Sequence, residues 1–296
     1  MTRRRPAVAL AGAGLAAGAA RGAYQLLRRH PPGGAARWSR TNHRGEPVTL
    51  LEGPAVVAGA ALAAIVAPGL PARARASLVA AAAGAGAFGG YDDLAGSGGR
   101  RGFRGHLGAL AHGEVTTGAV KLGGIGATGL AVSALRGDGP ADLLVNAGLI
   151  AGSANLVNLF DLRPGRAIKV AAAASTLLAT AAPEQAAVPL GAALGLLGED
   201  LAERAMLGDA GANALGALLG TAAAASLPRP ARIAVLAGIA GLTAASEVVS
   251  FTKVIERTPP LRWLDMLGRR PPAAPAAPPP GPAVTPPATR ASATPP

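Results

Sequence analysis

Nine apolar stretches, separated by short loops that carry most of the charge, constrain this chain more than any other feature. They cover roughly 6–27, 53–70, 76–91, 115–135, 141–160, 167–182, 185–198, 210–227 and 231–250. Several are near the ~20 residues a helix needs to cross a bilayer, while 76–91 and 185–198 are short for the task. A soluble domain does not present half of its 296 residues as hydrophobic with only 15% charged. The expected fold is therefore all-α, a polytopic integral membrane protein of about nine to ten transmembrane helices. Aromatic residues make up only 3% and glycine alone supplies 42 positions. Small residues let helix backbones approach closely, which is how helices associate in lipid.

The first stretch follows Arg3, Arg4 and Arg5 and has the outline of a signal peptide. It continues to Leu27 with only Arg21 interrupting, so it is read as a first spanning helix. Alternating from there, segments 28–52, 92–114, 161–166, 199–209 and the region after 250 fall on one side and hold most of the Lys and Arg. The positive-inside rule makes that side cytoplasmic, with the N-terminus outside and the C-terminus inside. Arg3–Arg5 oppose this orientation, and the later loops outweigh them. Residues 1–270 form the membrane-embedded domain; 271–296, rich in Pro and Ala, read as a disordered cytoplasmic tail. The net charge of +12 then serves topology and contact with anionic lipid. Nucleic acid is not an expected partner, because no aromatic residues interleave with the basic ones. The absence of cysteine excludes disulfides and thiol chemistry.

Polar clusters recur on the cytoplasmic side. Met206–Gly216 places Asp209 between Gly208 and Ala210-Gly211 at the start of an apolar run, where a carboxylate can meet a metal or phosphate or simply cap the helix. Asp92 and Asp93 follow Gly89-Gly90-Tyr91; adjacent carboxylates repel and face water, a cation or a base. Beyond them lie Arg100, Arg101, Arg104, His106 and His112, then Thr116-Thr117 and Lys121. Lys121 sits about one turn inside its run, where it either snorkels to the interface or binds phosphate. Asn155, Asn158 and Asp161 recur at i, i+3 and i+6, one helical face that lines a pocket or holds helices together. Arg40–Pro47, with Arg44 inside it, fills the first cytoplasmic loop, and Glu247 ends the ninth run before a basic segment.

In this order the clusters resemble the polyprenyl-phosphate N-acetylhexosamine-1-phosphate transferases. That membrane family includes phospho-N-acetylmuramoyl-pentapeptide transferase and the transferases that put GlcNAc-1-phosphate onto undecaprenyl phosphate. The resemblance rests on Arg44-Gly45-x-Pro47, Asp92-Asp93, Asn155-x-x-Asn158-x-x-Asp161 and Gly208-Asp209-x-Gly211, with Lys121 on the helix between the second and third. It implies transfer of a sugar phosphate from a UDP-sugar (UDP-GlcNAc or UDP-MurNAc-peptide type) to a polyprenyl phosphate, with release of UMP, in cell-wall or surface-polysaccharide synthesis. It also implies an active-site cleft on the cytoplasmic side and Mg²⁺ as cofactor. Asp209 would ligate the metal; Asp92 and Asp93 would place or deprotonate the lipid phosphate, Asp93 sharing in the metal. Lys121 and Arg44 would hold substrate, and Asn155, Asn158 and Asp161 would shape the nucleotide-sugar pocket. The expected partners are the lipid, the UDP-sugar and the membrane, with room for a homodimer.

The chain departs from that pattern. Pro164 stands where the family commonly has a second aspartate, Ala95-Gly96 stand where a basic residue often follows the pair, and no histidine cluster follows residue 209. A non-catalytic relative, acting as a lipid-binding or scaffold protein, is therefore the alternative. A transporter is a more distant one, since the intramembrane charges do not run across the bilayer.

Overall fold

The computed structural model describes residues 4–96, 105, 108, 109 and 112–271. Arg100, Arg101, Arg104 and His106, and the proline-rich stretch from 272 on, lie outside the described residues. The described chain is mostly helical. Its elements are α1 (Arg4–Arg29), α2 (Ala35–Trp38), a hairpin of β1 (Ser39–Thr41) and β2 (Pro47–Thr49), α3 (Glu52–Val66), α4 (Ala72–Ala95), α5 (Thr117–Arg136), α6 (Pro140–Phe160), α7 (Arg166–Leu178), α8 (Pro183–Leu201), α9 (Gly208–Ser226), α10 (Arg229–Ser246), α11 (Phe251–Arg257) and α12 (Pro259–Met266).

Each of the nine apolar stretches is helical, yet among the described residues only α5 and α6 are both long and apolar enough to cross a membrane unaided. A third such span exists if α10 and α11, bent by 94° at their junction, are counted together. The other helices fall short for separate reasons. α7 has 13 residues, which at ~1.5 Å per residue reaches only about 20 Å into a ~30 Å core. α3 is apolar but has 15 residues. α1 and α4 carry arginines or aspartates within their ends.

At the centre stands α9, whose residues Ala210–Ala224 are all buried. It packs against α6, α4 and α3, with α7 and α8 alongside. Its composition explains the position. A methyl group at Gly216 would overlap the Ser153 carbonyl, and one at Gly220 would overlap the backbone of Ile150, so only glycine lets α6 lie this close. In lipid such an interface depends on dispersion between near backbones rather than on expelling water. α1 packs on α8 and α3 on the far side of the bundle from α5.

Contacts gather the loop segments into two groups at opposite ends of the helices. At one end, β2 bridges to Ala205 ahead of α9, Arg44 pairs with Glu203, and the Gly165 N–H donates to Asp200. Asp265 on α12 pairs with Arg166 at the start of α7. At the other end, Arg136 donates to the Ala224 carbonyl and Arg232 to Asn146. Segments 28–52, 92–93, 161–166, 199–209 and 259–271 thus belong to one end.

Candidate active site

The first end holds the charged cluster. Three helix ends meet there: the C-terminal turn of α4, the second turn of α5 and the N-terminus of α9. Gly89 makes room, because a methyl there would overlap the Asp209 carbonyl. Thr116 caps α5 by accepting from the Ala119 N–H at 3.1 Å, which sets Lys121 one turn in. The Lys121 ammonium lies 2.7 Å from Asp92 Oδ2 and also contacts Asp209 Oδ2. One cation therefore sits between two carboxylates that come from different helices.

Asp93 is used differently. Its Oδ1 accepts from the backbone N–H of Asp209 at 3.0 Å and its Oδ2 from that of Ala210 at 2.9 Å. Those N–H groups are among the unpaired donors of the first turn of α9, so Asp93 caps that helix from outside and meets its positive dipole end. Gly208, at φ +59°, turns the chain into this contact, and a side chain there would collide with the Asp93 carboxylate. Both aspartates lie beyond the apolar stretch 76–91. Burial, reinforced by the Asp209 charge, pushes Asp93 up to about 6 despite the two N–H bonds. Burial also opposes ionisation of Asp92, but hydrogen bonds from Lys121 and Thr117 outweigh it and hold that carboxyl below its usual range. The sequence pairs Asp93 with Asp209 as metal ligands; in the structure the carboxylate that shares a cation with Asp209 is Asp92.

The other expected residues divide between separate places. Arg44 does not reach the cluster. Its Nε donates to both Glu203 oxygens at 2.9 and 3.0 Å, and its Nη2 donates to the carbonyls of Arg270 and Pro271. It ties the hairpin to the C-terminal segment. Asn155 donates to Thr243 on α10 at 3.4 Å and lines an apolar cavity of about 490 Å³ between α5, α6 and α10. Asp161 lines a different cavity of about 210 Å³ with His43, Arg163 and Asp200. The i, i+3, i+6 spacing does not give one pocket because α6 ends at Phe160. Asp161 is its C-cap, with ψ 45°, and turns to accept from the Gly208 N–H. Burial and the nearby Asp200 and Asp209 raise its carboxyl well above the usual range. Asn158 is half-buried and supplies the carbonyl that accepts the Asp161 N–H.

Three further residues shape this end, of which only Arg40 stood out in the sequence, as the start of the first-loop cluster. Arg40 donates to the Asp93 carbonyl, linking the hairpin to the end of α4. Glu52 is fully buried with neither carboxylate oxygen hydrogen-bonded among the described residues. Asp200 is buried close to both Glu52 and Asp161. A signal existed for Asp200: Glu199-Asp200 is a carboxylate pair at a helix end, the same pattern that marks Asp92-Asp93. Glu52 opens an apolar run and has no such mark.

Asp92 and Asp209 together suit a small hard cation. Among the described residues no group of three His, Asp or Glu side chains is arranged to hold a metal ion. A two-carboxylate set fits Mg²⁺, which usually completes its shell with water and substrate phosphate. The same arrangement suits phosphate, since Lys121 is already drawn to the site by the carboxylates. No protein-family model matches this chain, and no curated protein matches it either.

Proposed function

We propose that this chain is a multi-pass membrane enzyme that transfers a sugar-1-phosphate from a UDP-sugar to a polyprenyl phosphate, releasing UMP. The observation that carries this reading is the Lys121 ammonium held between Asp92 and Asp209 where three helix ends meet. A phosphoryl transfer needs positioning and charge neutralisation more than it needs covalent help from the protein. A carboxylate pair and a lysine within one contact radius are the parts for that. In this reading an oxygen of the lipid phosphate attacks the phosphorus bonded to the sugar. A new P–O bond forms, the diphosphate bridge breaks, and its electron pair leaves with UMP. Lys121 would hold phosphate oxygens, while Asp92 and Asp209 would hold Mg²⁺. When bound, the metal neutralises charge on the diphosphate. Asp93 would act as a positioning residue, fixing the start of α9 and with it Asp209. The nine helices would cross or enter the cytoplasmic membrane, with the cluster on the cytoplasmic face, the N-terminus outside and the C-terminus inside. That orientation is supported by the basic loops that gather at the cluster's end.

The second reading is a non-catalytic membrane protein that binds lipid or acts as a scaffold. The observation in its favour is that both carboxylates already have a cation and Asp93 already has two N–H donors, an arrangement that would also serve as glue between helices.

Labelled UDP-GlcNAc and undecaprenyl phosphate, incubated with the purified protein and Mg²⁺, test the choice directly. The transferase reading expects labelled lipid and UMP, both lost in Asp209→Asn. Silence with a panel of UDP-sugars, from a folded preparation, leaves the scaffold.

A further inference from the structure

At the end of the bundle that bears the cluster, but on the α1 side, a cavity of about 510 Å³ opens between the last turn of α1, the hairpin and the segment after α8. Arg28, Arg204 and Arg270 line it against one carboxylate, Glu203. That carboxylate is already engaged by Arg44 and Asn42. Arg204 is 56% exposed beyond its ion pair with Glu199, and Arg270 is 41% exposed beside Glu46. Arg28 lies 5.6 Å over the Tyr24 ring and pairs with no carboxylate among the described residues. The remaining walls mix apolar residues, Pro31, Val48 and Leu51 among them, with the hydroxyl residues Ser39 and Thr49. On α1, Leu26, Leu15 and Leu10 are exposed, Leu26 and Leu15 on a different face of the helix from Arg28.

We infer that this cavity is a binding site for the headgroup of an anionic phospholipid. Guanidinium groups with unspent donors bind phosphate oxygens strongly. A basic pocket at the membrane-facing edge of a helix bundle is the setting in which acidic lipid headgroups are recognised. A soluble anion would use the same guanidiniums, so the two sources of a phosphate group are separated by the competitor in the test below. The bound headgroup bridges α1 to the hairpin, whose Arg40 reaches the end of α4. The inference rests on the membrane reading of the chain and not on the transferase reading.

The test is native mass spectrometry of the full chain in neutral detergent, titrated with phosphatidylglycerol or phosphatidylcholine, with glycerol 1-phosphate as soluble competitor. Phosphatidylglycerol should be retained in preference to phosphatidylcholine. Arg28→Ala and Arg204→Ala should each weaken its binding about fivefold, and the double variant by their product. Glycerol 1-phosphate should not displace it. Equal retention of the two lipids, or unchanged binding by the double variant, overturns the inference. Displacement by glycerol 1-phosphate at matched concentration also overturns it, by assigning the site to a free phosphate ester. Arg204→Ala still leaves Glu199 paired with Arg21, and Arg28→Ala strands no carboxylate. If the unfolding midpoint of Arg204→Ala shifts, Arg28→Ala alone decides. Because binding is read without turnover, failure here is distinct from failure of the proposed activity.

Discussion

The two ends of the bundle solve the same problem in opposite ways. At the end away from the cluster, Arg136, Arg229 and Arg232 face only Asp138 and Asp142 as carboxylates in one network. Asn146, fully buried, bridges Asp138 to Arg232 at 2.7 Å on each side. Cations are in excess there, and the amide closes the gaps. At the cluster, one lysine serves two carboxylates, a third carboxylate is held by backbone N–H groups, and buried Asp200 and Glu52 and half-buried Asp161 lie nearby. Carboxyl groups outnumber cations there, and burial holds Asp93, Asp161 and Asp200 toward their protonated forms, so a further cation would favour their ionisation rather than meet a conflict. The first arrangement is a joint between α5, α6, α9 and α10, in which the buried Arg232 Nε has no hydrogen-bond partner among the described residues. The second is a site with capacity left over.

Removing Lys121 should have the largest effect. Lys121→Met strands two part-buried carboxylates, which should cost about 3–5 kcal/mol of stability and abolish transfer. Adding Asp209→Asn should return part of the stability and none of the activity. A double-mutant cycle on thermal unfolding in detergent checks this. Additive losses would mean that the two side chains do not share a cation, and the contrast between the ends would fail.

The far end supplies the control. Arg232→Met leaves Asp142 with Arg229 but takes the donor from the buried Asn146 carbonyl. A loss of about 1–3 kcal/mol is expected, the range for an orphaned buried acceptor, with transfer per folded molecule unchanged. A drop in turnover at equal folding would show that the joint is coupled to the site.

Asp93 sharpens the comparison within the cluster itself. As a cap on α9, Asp93→Ala should cost about 0.5–2 kcal/mol and Asp93→Asn less. A positioning residue should lower kcat and leave KM for the UDP-sugar near its parent value, with Asn restoring part of the rate. If Asp93→Asn instead raises the Mg²⁺ requirement as strongly as a change at Asp92, then Asp93 is a ligand and the cap is incidental.

How much of this was legible in the sequence follows from what each signal depends on. Apolar runs report helices well, because burial in either lipid or protein demands them, and each of the nine runs became a helix. They do not report which helices can cross a membrane: α9 is long enough for a span but not apolar enough, it is wrapped by protein, and its alanine and glycine mark close packing. Asp92, Asp93, Lys121 and Asp209 stood out because charge beside an apolar run is costly. Their division of labour did not, since whether Asp93 faces a cation or the N–H groups of α9 depends on how α4 crosses α9. The partners of Arg44 were not legible for a similar reason. Its loop sequence says nothing about Glu203, 159 positions away.

The smallest expected effect concerns Asp265, which sits at the cluster's end yet is built like the far end. Here one carboxylate faces two guanidiniums, Arg166 at 2.7 Å and Arg269 at 2.7 Å, the inverse of one lysine between two aspartates. Burial raises this carboxyl, but the hydrogen bonds and charge of Arg166, with Arg269, outweigh it and leave the group below its ordinary range. A carboxyl depressed on folding stabilises the native state above its unfolded value, about 3.9. That contribution is lost as the pH falls through the lower, folded value. The unfolding midpoint of the parent should therefore hold from pH 6 to about 4 and fall below it. Asp265→Asn should start lower at pH 6, having stranded Arg166, and should decline less on acidification. If both proteins lose the same midpoint between pH 6 and 3, other carboxylates carry the acid response. Excess cation at a joint would then not be what distinguishes a closed contact from a site.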